Sequence, residues 1–138
     1  MPNDLDLWPE DIGDTKIVPP VAILREQATL LGRKTNQLVR ARVTTHGEGD
    51  WLTHTFILSA PAIDYGLQLF EIQHTIELYP LSFTWEGVAK QIETPDKFVD
   101  HLKVVLGSSS TKRKVHSLLA QVKSELPVHE ITDEDIPF

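Results

Sequence analysis

Between the Pro19-Pro20 pair and Pro127, the spacing of apolar residues changes period twice. Over "PVAILREQATLLG", Ile23, Leu24, Gln27, Ala28, Leu30 and Leu31 recur at helical spacing, with Pro20 suited to a first turn and Gly32 to a left-handed stop. The period then falls to two. "QLVRARVTTH" sets Val39, Ala41, Val43 and Thr45 on one face against Arg40, Arg42 and Thr44, and "WLTHTFIL" presents Leu52, His54, Phe56 and Leu58 after a "GEGD" turn. A four-residue turn pairs Val43 with His54 and keeps both apolar faces together.

"LQLFEIQHTIELY" continues the alternation, with Phe70, Ile72, His74, Ile76 and Leu78 opposed to Leu69, Glu71, Gln73, Thr75 and Glu77. After Pro80, "LSFTWEGVAKQI" reads as a fourth strand broken at Gly87. The helical period then returns. "TPDKFVDHLKVVLG" has Thr94 as N-cap, Pro95 in the first turn, a stripe of Phe98, Val99, Leu102, Val105 and Leu106, and Gly107 as its stop. "SSSTKRKVHSLLAQVKSEL" starts from a serine cap and aligns Val115, Leu118, Leu119, Val122 and Leu126. The pattern predicts an α+β fold: an N-terminal helix, a four-stranded antiparallel meander, and two C-terminal helices packed on one sheet face. It also divides the chain into an acidic extended arm (1–19), a single α+β domain (20–126) and an acidic partner-binding tail (127–138).

Composition adds little until charge is read by position. The 138 residues suit one domain, and the absence of cysteine excludes disulfides, thiolate metal sites and cysteine nucleophiles. No apolar run approaches the ~20 residues that span a bilayer, and the start of the chain is acidic, so no membrane partner and a cytoplasmic location are expected. The net charge of −7 is unevenly spread. Residues 1–14 hold Asp4, Asp6, Glu10, Asp11 and Asp14 without a base. Residues 124–138 hold Glu125, Glu130, Asp133, Glu134 and Asp135, again without one. The intervening span therefore carries +3, a mildly basic body between two acidic arms.

Searches for reactive groups return few candidates. His54 and His74 fall on the apolar face of neighbouring strands, but no carboxylate shares that face to complete a metal site, which favours two neutral core histidines. The serines at 108–110 precede a helix without a nucleophile elbow, and "GSSSTK" lacks the spacing of a phosphate-cradling loop. No catalytic residue, cofactor or metal is assigned, and the balance leans away from an enzyme. Basic residues form two groups. Arg33, Lys34, Arg40 and Arg42 run from the first helix into the first strand, where an open sheet face shared with Trp51 would suit single-stranded nucleic acid. Lys112, Arg113 and Lys114 lie at a helix start, where cations oppose the macrodipole and suit an anion.

The chain closes on "ITDEDIPF". Asp133, Glu134 and Asp135 are followed by Ile136, Pro137 and Phe138, an order that resembles the C-terminal tip of bacterial single-stranded DNA-binding proteins, with Glu134 where Asp is more usual. The chemistry of such an end is that of a docking peptide. Phe138 offers a ring and a carboxylate, Pro137 limits the backbone freedom lost on docking, and the acids draw in a basic groove. The resemblance covers about six residues and implies recruitment by DNA-maintenance proteins; the helix-first body does not match that family's five-stranded barrel.

These readings lead to an accessory protein of bacterial or phage DNA metabolism, docking through its tail on a repair, replication or recombination protein with a basic-rimmed apolar pocket. Weak contact of the body with single-stranded DNA is the subsidiary expectation. Two alternatives stand beside it: an acidic inhibitor or immunity-type binding protein, and a small enzyme or ligand binder with a pocket at His54 and His74. Oligomeric state is left open.

Overall fold

The computed structural model describes residues 5–126. The element order is α1 (Pro20–Lys34), β1 (Arg40–Glu48), β2 (Trp51–Ala60), β3 (Tyr65–His74), β4 (Leu81–Trp85), β5 (Val88–Ile92), α2 (Pro95–Leu106) and α3 (Ser109–Ser124), with a 3₁₀ turn at Pro61–Ile63. The α+β class and the order of the helices agree with the sequence pattern. The strand count does not: the antiparallel sheet has five strands, in the order β1-β2-β3-β4-β5.

The extra strand comes from the stretch read as one broken strand. Trp85 pairs with Val88, leaving Glu86 and Gly87 as a two-residue hairpin loop, both with positive φ (51° and 79°). That is the requirement of a type I′ turn, whose twist matches the flanking strands. Gly87 meets it without steric cost, whereas a glutamate does so only against the repulsion between its Cβ and the following carbonyl oxygen.

Four further departures have local causes. The β1–β2 hairpin turns through Gly49 and Asp50 alone, with Gly49 at φ 60°, so β1 continues to Glu48 and Thr45 rather than Val43 lies opposite His54. A shift of two residues preserves the faces, which is why the apolar set remained correct. In β3 the register slips between the pairs Phe56–Phe70 and Ile57–Gln68, and Leu69 is the extra residue of a bulge. The bulge lets Leu69 and Phe70 both enter the core, although strict alternation put them on opposite faces. The strand ends at His74, and Ile76 stands 77% exposed beyond it instead of extending the buried row. In α1 the helix runs through Gly32 to Lys34, and the left-handed residues are Asn36 and Gln37.

The core is organised by aromatic rings. Phe56 stacks on Phe70 at 4.9 Å and Phe70 on Phe83 at 4.6 Å, so three adjacent strands are tied by one column of rings. Phe83 reaches Phe98 of α2 at 6.2 Å, and Leu102 and Val105 extend that helical stripe into the core. Thr94 caps α2 by accepting from the Lys97 amide, and Ser108 caps α3 by accepting from the Thr111 amide. Leu24 and Ala28 anchor α1 over β1. All three helices cover the same face of the sheet, while Thr44, Thr53, Thr55, Glu71, Gln73, Ser82, Thr84 and Gln91 occupy the other.

Replacing Glu86 with Asn, a residue at ease in the left-handed region, should stabilise the fold by about 0.5–1 kcal/mol in urea denaturation. Phe70→Ala should cost about 3–5 kcal/mol, since it opens the middle of the ring column. A loss below ~1 kcal/mol would show that the column is not central to the fold.

Candidate functional site

Three places on this scaffold gather chemically distinctive side chains: the histidine pair, the open sheet face, and a groove beside α3. The pair is the most ordered. His54 and His74 are diagonal neighbours on β2 and β3, 3% and 1% exposed, with their Nε2 atoms 3.0 Å apart. The outer atoms fix the direction of every proton in the chain of hydrogen bonds. His74 Nδ1 lies 2.7 Å from the Thr75 carbonyl, which can only accept, so Nδ1 carries a proton and in the neutral ring Nε2 is a lone pair. His54 Nε2 must then donate to it, which leaves His54 Nδ1 to accept from the Thr45 hydroxyl at 2.9 Å. Arg25 Nη2 of α1 approaches the same hydroxyl at 3.5 Å.

Every nitrogen of the two rings thus has a hydrogen-bond partner, as buried polar groups require. Burial, then the neighbouring His74, then Arg25 push the His54 pKa down from 6.5 to about 4. Among the described residues no third histidine, carboxylate or cysteine joins them in a group that would hold a metal ion. The arrangement is a polar strut inside the core, built across the hairpin by the Thr45–His54 register.

The sheet's open face is polar without being strongly basic. Arg40 and Arg42 lie on this face of the edge strand β1, Arg40 donating through Nε to the Gln37 carbonyl at 3.2 Å. Trp51 shares the face and is 50% exposed, but it starts β2, whereas Arg42 pairs with Ile57 six residues further on. Six residues of strand separate them by about 20 Å. The structure therefore does not bring Trp51 to the arginines, and Glu71 sits in the middle of the hydroxyl-rich rows between β2 and β4. Arg33 and Lys34 project from the last turn of α1, where cations complement the macrodipole.

Lys112, Arg113 and Lys114 occupy the start of α3. Arg113 and Lys114 line a groove of about 940 Å³ between α3 and the start of β3. Its floor includes Ile63, Leu67 and Leu118, and Tyr65, 49% exposed, stands at its edge. Lys114 Nζ is 4.0 Å from Glu86 Oε1, a partly exposed contact in which the lysine keeps much of its freedom. Glu125, at the C-cap of α3, closes the far end. A second, more apolar crevice of about 520 Å³ lies between α1 and the α2–α3 pair, with Lys34 and Lys103 among its lining residues.

The sequence pattern contained the cations of the groove but not Tyr65 or its apolar floor, because Ile63 and Leu67 meet α3 only through tertiary packing. Asp133, Glu134, Asp135, Ile136, Pro137 and Phe138, expected to bind a partner, lie outside the described residues. No helix among the described residues is long and apolar enough to cross a membrane. Compared with family models, curated proteins and solved structures, the chain matches none.

The histidine pair makes stability depend on pH in a defined direction. His54 has a lower pKa folded than unfolded, so the unfolded chain binds the extra proton between about 6.5 and about 4. Its contribution is complete above pH 6.5 and is lost as pH falls towards 4, by about 3 kcal/mol at most. His101 is also lowered, by burial and Lys90, and acts with the same sign. Denaturant midpoints should fall more steeply with acidification in the wild type than in His54→Gln; parallel profiles would rule out a buried, neutral His54.

Proposed function

We propose that this protein is an accessory factor of bacterial or phage DNA metabolism that docks through its acidic tail on proteins reading the tip of single-stranded DNA-binding proteins. The observation that carries this reading is the order Asp133-Glu134-Asp135-Ile136-Pro137-Phe138. Aspartates and a glutamate steer the peptide to a basic lip, proline restricts it, and isoleucine and phenylalanine fill an apolar pocket.

The character of the body supports a binding role over a catalytic one. Its two buried histidines are consumed by hydrogen bonds to each other, to Thr45 and to the Thr75 carbonyl. Among the described residues the buried apolar side chains run from Leu24 to Val122. The partner is a repair, replication or recombination protein with a basic-rimmed apolar pocket. Any contact of the body with single-stranded DNA is secondary and falls to cations on separate surfaces: Arg33 and Lys34 at the end of α1, Arg40 and Arg42 on the open sheet face, and Lys112, Arg113 and Lys114 at the start of α3.

Deleting Ile136–Phe138 should abolish capture of tail-reading proteins in a pull-down, and Phe138→Ala should weaken it by about 2 kcal/mol or more, as for a buried aromatic anchor. Arg42→Ala should leave capture unchanged. Undiminished capture by the deleted chain would refute the reading, and loss of capture on removing residues 1–14 alone would shift it to an acidic inhibitor.

A further inference from the structure

The groove beside α3 has the chemistry that the tail seeks in a partner. Arg113 and Lys114 supply positive charge above an apolar floor of Ile63, Leu67 and Leu118, and Tyr65 offers a ring at the edge. The helix that carries them holds Lys112, Arg113, Lys114, His116 and Lys123 and no acid before Glu125. The tail brings Asp133, Glu134 and Asp135 followed by Ile136 and Phe138. The peptide carries a block of acids followed by apolar side chains, and the groove offers a pair of bases together with apolar side chains.

Chain length permits the match. Glu125 itself lines the groove, so the polypeptide leaves α3 at the groove's own end. From Glu125 back to Arg113 is twelve helical residues, about 18 Å. Residues 127–138, fully extended, reach about 40 Å, so the acids can return to Arg113 and Lys114 with Ile136 and Phe138 still to spare. A short tether raises the local concentration of the peptide to the order of millimolar, enough for a modest intrinsic affinity to hold it.

The acidic arm is less well placed. Arg25 reaches Thr45, so the N-terminal half of α1 lies over the end of the sheet where β1 and β2 turn at Gly49 and Asp50. The groove begins at Ile63 and Tyr65, at the opposite end, where Ala60 pairs with Tyr65. The arm therefore enters α1 a sheet's length away.

We propose that residues 133–138 dock in this chain's own α3–β3 groove, acids against Arg113 and Lys114 and apolar side chains against Ile63, Leu67 and Leu118. This extends the reading of the tail as a docking peptide and adds its regulation. A partner must draw the tail from the groove before binding it. If the tail is docked about nine-tenths of the time, freeing it strengthens partner binding about ten-fold.

The chain contains no cysteine, so Thr132→Cys gives a single attachment point for a nitroxide in the full-length protein. The expected result is broadening of amide resonances concentrated at Tyr65, Leu67, Arg113, Lys114 and Ser117. It should be lost in Phe138→Ala, lost in Arg113→Glu/Lys114→Glu, and weakened at ~0.5 M salt, where exposed charges are screened. Diffuse broadening, broadening centred on the α1–α2 crevice, or a pattern unmoved by the groove substitutions would overturn the proposal. Broadening of an isotope-labelled chain by a separate nitroxide-bearing copy would overturn the intrachain contact. Binding of an oligothymidylate to the groove without tail broadening would assign the groove to nucleic acid.

Failure of this proposal can be told from failure of the docking function. Broadening in the groove with no tail-reading protein captured would sustain self-docking and reject the function. Capture that does not rise in Arg113→Glu/Lys114→Glu, with no broadening, would sustain the function and reject self-docking.

Discussion

The column of rings Phe56, Phe70 and Phe83, continued to Phe98 on α2, is the contact on which the rest of the structure depends. Stacked residues on three neighbouring strands fix their register, because a slip of one residue would carry a ring to the polar face. The β3 bulge serves the same column: it brings Leu69 into the core beside Phe70 without moving Phe70 from its place opposite Phe56. With the strands fixed, only one face needs cover, and α1, α2 and α3 supply it. The other face is left mainly to threonine, serine and glutamine, with Glu71 among them and Arg40 and Arg42 at the β1 edge.

A core closed in this way constrains what the buried polar groups can do. His54 and His74 are admitted because their protons run in one direction, from Thr45 to the Thr75 carbonyl, and every ring nitrogen has a partner. Charge on His54 would be opposed by burial, by the neighbouring His74 and by Arg25. The pair therefore acts as a structural element that resists acidification poorly. Among the described residues, chemistry available to other molecules lies at the periphery, at the basic edge of β1 and in the α3 groove.

Much of the fold was legible because burial writes itself as periodicity. The stripes of α2 and α3, the caps Thr94 and Ser108, and the common face of His54 and His74 could all be read from spacing. What escaped has local or tertiary causes. The two-residue turn at Gly49 and Asp50 moved the hairpin register by two, and the Glu86-Gly87 turn hid a strand because glutamate is not a residue that announces a type I′ loop. The Leu69 bulge broke alternation to satisfy packing that no local pattern contains. Tyr65, Ile63 and Leu67 became a groove only when α3 was laid beside them. The order Asp133-Glu134-Asp135-Ile136-Pro137-Phe138 shows the reverse case: the resemblance it carries is entirely local and needs no fold to be read.

On the proposed function, specificity would be concentrated in the six residues Asp133 to Phe138. Recruitment would be set by the pocket that receives Ile136 and Phe138, and steering by the acids before them. The most direct measurement is competition in solution: a fluorescent peptide from the tip of a bacterial single-stranded DNA-binding protein, bound to a protein that reads it, titrated with this chain. The account predicts full displacement with a loss of anisotropy, and no displacement by the chain lacking residues 136–138. Retention of the labelled peptide at saturating concentrations of the intact chain would contradict it.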